Sequence, residues 1–177
     1  MPLTVLLAPG ASGNVAGLRP YLEGLAKRGI QARGVELPRG SVERALPVYR
    51  AALPAVDPNP TIIGGHSFGG RVASFLAAER TLAGLILMSY PLHRPGHTEQ
   101  WEARTDHWPT IQCPVFLLSG ESDPFAKVEL LRRAVRRIPH AELVTYPGVR
   151  HGIGPVFADA LGRITAWIES LPPRQPA

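Results

Sequence analysis

The chain has 177 residues, a length typical of one domain. Apolar residues make up 45% of it and charged residues 19%, which excludes a disordered chain and indicates a globular protein with a substantial core. The single cysteine, Cys113, excludes an intrachain disulfide and a cysteine-based structural zinc site. The net charge is +5, but the basic residues are dispersed apart from arginines at helical spacing in 132–137, so no nucleic-acid partner is predicted.

Short apolar runs alternate along the chain with longer amphipathic stretches. The predicted strands, in chain order, are Leu3–Ala8, Ile30–Leu37, Thr61–Gly65, Leu82–Ser89, Val115–Ser119 and Glu142–Tyr146. The predicted helices are Ala16–Arg28, Ser41 to about Leu53, Gly69–Arg80, Ala126–Ile138 and Val156–Leu171. This alternation predicts a single-domain α/β fold, with about six mostly parallel strands flanked by helices. Residues 1–172 should form this domain, and 173–177 a flexible C-terminal tail.

The apolar N-terminal run is interpreted as a strand and not as a signal peptide. No positively charged segment precedes it, and it stops at Pro9-Gly10. No apolar run elsewhere approaches the roughly 18 residues that a membrane span needs. We therefore expect a cytoplasmic protein that binds no membrane and is a monomer or a small homo-oligomer.

The third predicted strand ends in the pattern Gly65-x-Ser67-x-Gly69, directly before a helix. The pattern alone is a weak signal, but a strand before it and a helix after it are typical of a nucleophile elbow. In so sharp a turn the residues two positions either side of the nucleophile approach each other, and Gly65 and Gly69 carry no side chains that would clash. The alternative is a glycine-rich turn between strand and helix that packs tightly, or one that binds phosphate at the helix N-terminus.

A serine hydroxyl is a weak nucleophile without a base, and nucleophile elbows are followed in chain order by an acid and a histidine. Asp123 follows the fifth predicted strand and His151 the sixth, so both lie at the same sheet edge as Ser67. We predict that Ser67 attacks, His151 accepts its proton and Asp123 orients His151. Glu121 is a rival acid, and Asp123 could instead cap the following helix. His66 should point to the opposite face and pack behind the elbow.

Backbone amides must stabilise the oxyanion of a tetrahedral intermediate. One donor is the amide of Phe68. The second is predicted in the loop after the first strand, at Ala11 or else Ser12, because small residues let that backbone approach closely. Neither a metal nor another cofactor is predicted, since no histidines and carboxylates stand at ligand spacing. Position alone assigns four residues of the irregular segment Pro91–Gln112 to a possible pocket wall: His93, Trp101, His107 and Trp108.

The chain resembles the α/β-hydrolases in the segments Gly65–Gly70, Gly120–Pro124 and His151-Gly152. It is more narrowly similar to small hydrolases without a cap, those near dienelactone hydrolase and the testis-expressed type, in Ser67–Ser74 and Tyr90–Gly96. The resemblance covers essentially the whole chain and implies a minimal lid or none. Dienelactone hydrolases have a cysteine where this chain has Ser67, so their substrate does not transfer.

These observations predict a serine hydrolase that acts on a small-molecule ester. The expected substrates are small carboxylic esters or thioesters, cleaved through an acyl-enzyme on Ser67. An open site without a lid offers little apolar surface for a long chain, which argues against true lipase action. The alternative is a non-catalytic α/β-hydrolase-like interaction module, because a fold alone does not prove activity.

Overall fold

The structure, a computed structural model, describes residues 3–53 and 61–172. Its strands are β1 (Thr4–Ala8), β2 (Gln31–Gly34), β3 (Thr61–His66), β4 (Gly84–Met88), β5 (Val115–Gly120) and β6 (Ala141–Tyr146). Its α-helices are α1 (Arg19–Ala26), α2 (Val42–Ala52), α3 (Phe68–Glu79), α4 (Trp101–Arg104), α5 (Val128–Val135) and α6 (Phe157–Ser170). None of these helices is both long and apolar enough to cross a membrane. The predicted tail, 173–177, lies outside the described residues.

The strands form one six-stranded sheet in the order β2-β1-β3-β4-β5-β6, with every neighbouring pair parallel. The predicted single-domain α/β fold is confirmed. The chain adds β2 on one side of β1 and all later strands on the other side. The loops after β1 and β3 therefore diverge at the carboxyl edge, which is where open α/β sheets bind their ligands.

The core consists of two apolar layers, one on each face of the sheet. One layer contains residues of α1 and α6, and the other contains residues of α2, α3 and α5. Strand β4 contributes to both layers, because alternate side chains point to opposite faces of the sheet. Leu85 and Leu87 belong to one layer, while Ile86 and Met88 belong to the other. A strand covered on both faces is continuously apolar, as this one is.

Tyr49, in α2, is completely buried and reaches the middle of the sheet. Its hydroxyl lies 2.8 Å from the carbonyl oxygen of Leu6 and 2.6 Å from that of Gly64, and it accepts the Gly64 amide at 3.0 Å. Burial raises the pKa of Tyr49, so the hydroxyl remains a donor. The hydrogen bonds of Tyr49 therefore connect α2 to β1 and β3. Helix α2 continues through Pro47 without interruption.

Three elements are shorter than predicted by four or five residues. The first helix begins at Arg19, because Val15–Leu18 is a 3₁₀ turn that leads into it. The edge strand β2 ends at Gly34, where the side chain of Val15 occupies the space of a Cβ atom. Helix α5 spans Val128–Val135, so residues 126–127 and 136–138 lie outside it.

The irregular segment between β4 and β5 folds onto the main core. It contains α4 and two 3₁₀ turns, Thr98–Gln100 and Trp108–Thr110. Trp101, Trp108 and Ile111 belong to the same apolar layer as α2 and α3. The segment is therefore part of the domain and not a separate lid over the sheet edge.

Candidate active site

Ser67 occupies a strained position between β3 and α3. Its backbone angles are φ 49° and ψ −115°, a combination that costs a residue other than glycine roughly 1–3 kcal/mol. The Ser67 amide donates to the Met88 carbonyl at 2.8 Å, and the Arg71 amide donates to the Ser67 carbonyl at 3.0 Å. These bonds fix the backbone on both sides of the turn, so the strained conformation is maintained at Ser67.

The two elbow glycines leave no room for side chains. A Cβ atom on Gly65 would lie 2.5 Å from the carbonyl oxygen of Ala8 and 2.6 Å from the carbonyl carbon of Gly69. A Cβ atom on Gly69 would overlap the same Ala8 oxygen and lie 2.5 Å from that of Pro9. The crowding between positions 65 and 69 agrees with the sequence interpretation. The backbone at the end of β1 also excludes side chains at both positions, and the sequence motif does not indicate this second contact.

Ser67, His151 and Asp123 form one chain of hydrogen bonds. His151 Nε2 lies 2.9 Å from Ser67 Oγ, and His151 Nδ1 lies 2.8 Å from Asp123 Oδ2. The Asp123 side chain is completely buried, whereas that of His151 is 24% exposed. With Nδ1–H donating to the carboxylate, Nε2 is free to accept the Ser67 proton. The fold thus brings together three residues that are far apart in sequence.

Asp123 is oriented by its own loop. Its Oδ1 atom accepts the amide hydrogen of Phe125 at 2.8 Å, which leaves Oδ2 for His151. Helix α5 begins only at Val128, so Asp123 does not cap it. The Phe125 ring packs against the imidazole of His151, with the ring centroids 4.6 Å apart. One short loop therefore supplies both the carboxylate and an apolar contact to the histidine.

The rival acid, Glu121, is held away from His151. Its Oε1 atom accepts hydrogen bonds from Arg132 at 3.0 Å and from Thr145 at 2.7 Å. This pairing engages the carboxylate with one residue of α5 and one of β6. The geometry therefore favours Asp123 over Glu121 as the acid.

The acid loop and the histidine loop are joined along their backbones. The Ser122 amide donates to the Val149 carbonyl at 2.9 Å, and the Glu121 amide donates to that of Tyr146 at 2.9 Å. A Cβ atom on Gly120 would overlap the Val149 carbonyl oxygen. A glycine at the end of β5 is thus what allows the two loops to meet.

Ser89, which no sequence motif marked as important, supports the backbone beside His151. It is completely buried and has φ 51°. Its hydroxyl accepts the amide hydrogen of Gly152 at 3.2 Å, and Gly152 itself has φ 101°. A second strained serine therefore holds the residue that directly follows His151.

The loop after β1 lies against the elbow. The Gly13 amide donates to the Gly10 carbonyl at 3.1 Å, which closes a turn with Ala11 and Ser12 exposed at its centre. A Cβ atom on Gly10 would lie 3.5 Å from that of Ser67. Phe68 is the first residue of α3, so no helical carbonyl requires its amide. The amides proposed for the oxyanion thus belong to two segments that meet at Ser67.

A cavity of about 220 Å³ opens beside the elbow, between the loops after β1 and β6. Tyr21, His66, Met88 and residues 152–154 contribute to its wall. His66 therefore lines a cavity and does not simply pack behind the elbow. Its ring centroid lies 5.3 Å from that of His151. Burial lowers the pKa of His66 to about 4, so its imidazole is neutral at physiological pH.

The two tryptophans predicted to form a pocket wall lie outside the lining of this cavity. Trp108 is completely buried, with its ring 4.9 Å from that of Tyr90, so it is a core residue. Trp101 is also buried, and the guanidinium groups of Arg133 and Arg137 lie 5.2 and 5.3 Å from its ring. Both side chains turn toward apolar neighbours, because burial of a large aromatic surface outweighs its exposure at the site.

The two histidines predicted for that wall also contact other parts of the protein. His93 Nε2 accepts the Lys127 amide at 3.0 Å, so His93 supports the acid loop from behind. His107 Nε2 lies 2.7 Å from the hydroxyl of Ser74, and its ring stacks on Phe75 at 3.8 Å. Like the tryptophans, neither histidine lines the cavity beside Ser67.

Two partly buried histidines should make the protein less stable in acid. Burial lowers the pKa of both His66 and His107 to about 4, whereas an unfolded histidine titrates near 6.5. Between these values the unfolded state binds more protons, so the free energy of unfolding should fall as pH drops from about 6.5 to about 4. Each histidine contributes at most about 3 kcal/mol.

Urea unfolding followed across this pH range tests the prediction. His107→Gln should show a weaker pH dependence than wild type, and His97→Gln, which changes an exposed histidine, should show the same dependence. A wild-type free energy of unfolding that stays constant from about pH 6.5 to about pH 4 would contradict it.

Comparison with known proteins identifies the family. Residues 28–159 match the model of the alpha/beta hydrolase domain. The monoacylglycerol lipase of Paleococcus ferrophilus has 16% identity and a TM-score of 0.81, over 96% of this chain and 95% of that one. An esterase of Pyrococcus furiosus has 18% sequence identity and a TM-score of 0.78, over 95% of this chain and 82% of that one. The thioesterase domain from the curacin biosynthetic pathway has 15% sequence identity and a TM-score of 0.73, over 96% of this chain and 91% of that one.

At these identities the likeness to solved structures shows the fold alone. The family match, by contrast, covers well over half of the chain and includes the elbow, Asp123 and His151. Sheet order and family match agree, and the chain belongs to the α/β-hydrolase family.

Proposed function

We propose that this protein is a serine hydrolase that cleaves small carboxylic esters or thioesters through an acyl-enzyme on Ser67. The observation that carries the proposal is the chain of hydrogen bonds from Ser67 through His151 to the buried Asp123, with separations of 2.9 and 2.8 Å. Family membership supports hydrolase activity, and the names of the similar structures include an esterase, a lipase and a thioesterase.

Acylation begins with attack of Ser67 Oγ on the carbonyl carbon of the substrate. The hydroxyl proton passes to His151 Nε2, and the imidazolium that forms is stabilised by Asp123 through Nδ1–H. When the tetrahedral intermediate collapses, His151 returns the proton to the leaving oxygen or sulfur. The products of this half-reaction are the free alcohol or thiol and an ester on Ser67.

Deacylation repeats the sequence with water as the nucleophile. His151 removes a proton from the water as its oxygen attacks the acyl carbon. Collapse of the second intermediate returns that proton to Ser67 Oγ and releases the carboxylic acid. Both intermediates place negative charge on the former carbonyl oxygen, and the amides of Phe68 and Ala11, or alternatively Ser12, are our proposed donors to it.

The size of the site favours small substrates. The cavity beside Ser67 has a volume of about 220 Å³. The irregular segment that could have lined a longer groove turns Trp101 and Trp108 into the core. A long acyl chain would exceed this volume.

Labelling with a fluorophosphonate probe tests the proposal directly. The probe phosphonylates a serine only when a base activates it, so wild type should carry one adduct on Ser67, located by mass spectrometry. Ser67→Ala and His151→Ala should both lose the adduct. Circular dichroism on each variant shows whether it is folded.

The alternative, a non-catalytic interaction module, predicts a different result. A folded wild-type protein without an adduct would contradict hydrolase activity and favour that reading. An adduct on Ser67 that persists in folded His151→Ala would show that His151 is not the base.

A further inference from the structure

Arg71 carries an unpaired charge close to the nucleophile. It is the fourth residue of α3, and its amide donates to the Ser67 carbonyl at 3.0 Å. The side chain is only partly exposed, and its Nε atom is buried without a hydrogen-bond partner among the described residues. Its guanidinium group forms no ion pair with a described carboxylate. Burying a cation without a partner costs free energy, so this guanidinium is a candidate site for an anion.

A second arginine adds to this positive charge. Arg104 is also partly buried, and its guanidinium group donates to the Pro91 carbonyl at 3.0 Å. Burial lowers the pKa of Arg104, and the nearby charge of Arg71 lowers it further. The two residues, called the arginine pair below, therefore repel each other across a partly buried region. A bound anion would relieve this repulsion.

The carboxylates whose charges reach the arginine pair are engaged elsewhere. Glu43, at the start of α2, is exposed and accepts hydrogen bonds from its own amide and from Ser41. Asp106 is exposed and lies 3.9 Å from Arg137. Neither carboxylate is within ion-pair distance of the arginine pair. The described part of the chain thus leaves the charge of the pair uncompensated.

Buried polar groups of the segment between β4 and β5 lie beside the arginine pair. Trp108 is completely buried, and its Nε1–H has no hydrogen-bond partner among the described residues. Its ring packs against that of Tyr90 at 4.9 Å, and the Tyr90 hydroxyl donates to the Arg104 carbonyl at 2.8 Å. Burial raises the pKa of Tyr90, while the nearby charges of Arg71 and Arg104 oppose that rise. Two unpartnered N–H donors, on Arg71 and Trp108, therefore belong to one cluster.

The cluster lies at the edge of the sheet that carries Ser67. Arg71 follows Ser67 by four residues, about 6 Å along a helix axis. Tyr90 follows β4 closely, so it lies at the carboxyl edge as well, where open α/β sheets bind their ligands. The long side chain of Arg71 and a few carbon atoms of a substrate are enough to span the distance from Ser67 to the guanidinium group.

We propose that the ester substrate carries a carboxylate, and that this carboxylate binds the guanidinium group of Arg71, with the charge of Arg104 adding to the attraction. The inference rests on the proposed hydrolase function and adds the charge of the substrate to it. The edge of a guanidinium group forms two parallel hydrogen bonds with a carboxylate. A neutral ester of the same length has no group that accepts both.

Two matched pairs of esters test this assignment and show which half of the substrate carries the carboxylate. Monomethyl glutarate and methyl pentanoate differ by a carboxylate on the acyl half. The butanoate ester of 4-hydroxybutanoate and butyl butanoate differ by a carboxylate on the alcohol half. In one pair, wild type should hydrolyse the charged ester with a kcat/KM about tenfold to a hundredfold higher, the weight of a hydrogen bond to a charged group. Titration of the released acid measures the rates.

Variants of Arg71 show whether it is the binding group. Arg71→Gln should bring the ratio of the two rates close to one, and Arg71→Lys, which keeps the charge but not the planar fork, should retain part of it. Arg28→Gln, at an exposed arginine after α1 on the other side of the sheet, should keep the wild-type ratio. The ratio is taken within each variant, so a general loss of activity cancels. Added NaCl should lower the wild-type ratio by screening, which needs no variant.

Equal hydrolysis within both pairs by wild type, or a preference that Arg71→Gln and added salt leave unchanged, would overturn the carboxylate assignment and leave the hydrolase proposal intact. Inorganic phosphate tests for a free anion in place of a substrate. If phosphate stabilises wild type against urea but not Arg71→Gln, and neither pair shows a preference, the substrate assignment is wrong. Hydrolysis of none of the four esters, together with no fluorophosphonate adduct, would overturn both proposals.

Discussion

Replacing Ser67 with alanine should lower kcat/KM toward p-nitrophenyl butanoate by about 10⁴-fold or more, while the protein stays folded. Alanine cannot form the acyl-enzyme, so only the background from the oxyanion donors and substrate binding remains. The free energy of unfolding should change by less than about 1 kcal/mol, since the substitution removes a single partly exposed hydrogen bond. Steady-state kinetics and urea unfolding on the same preparation measure both effects.

Two further serine variants serve as controls. Ser170→Ala, at the C-terminal end of α6, should keep full activity. Ser67→Gly should be as inactive as Ser67→Ala but about 1 kcal/mol more stable than it, because glycine adopts φ 49° without strain. Substantial turnover by a folded Ser67→Ala protein would show that the nucleophile is another residue.

Replacing Gly69 with alanine should destabilise the protein by about 3 kcal/mol or more and displace the nucleophile. The added methyl group would overlap the Ala8 carbonyl oxygen and approach that of Pro9 to 2.5 Å. Both are backbone atoms at the end of β1, so no side-chain rotation relieves the overlap. Urea unfolding measures the loss of stability, and fluorophosphonate labelling reports the position of Ser67.

Gly162→Ala is the matched control for this substitution. Gly162 lies in α6, is exposed, and a Cβ atom there would meet nothing within 4 Å. Alanine has the higher helix propensity, so this variant should be about 0.5–1 kcal/mol more stable than wild type. Equal effects at the two positions would show that the contact with β1 does not constrain the elbow.

The meeting of Ser67, Asp123 and His151 at one edge of the sheet could be predicted, because the position of each depends on local sequence and on one topological rule. Ser67 lies in a recognisable strand–turn–helix pattern, and Asp123 and His151 each follow an apolar strand. Parallel strands end at one edge, so these loops must meet there. The order of the residues therefore carried three-dimensional information without any knowledge of side-chain packing.

The predicted pocket wall failed for the opposite reason. Residues 91–112 show no helical or strand period, so their side-chain directions could not be predicted from the sequence. Trp101 and Trp108 turned into the core, and His107 paired with Ser74. His66 faces a cavity because Gly10 and Gly152 leave space around its ring. Such contacts join residues remote in sequence, and local patterns do not record them.

The sequence by itself determined the fold class, the elbow and the residue types available for catalysis, because hydrophobic periodicity and glycine position are local properties. Only the tertiary structure favours Asp123 over Glu121 as the proposed acid. Asp123 is the carboxylate hydrogen-bonded to His151, whereas Arg132 and Thr145 donate to the carboxylate of Glu121. The tertiary structure also revealed the strained, buried Ser89 behind His151. A left-handed backbone conformation at a serine is imposed by the hydrogen bonds and packing around it. Serine has no intrinsic preference for this conformation, so it cannot be predicted from the sequence.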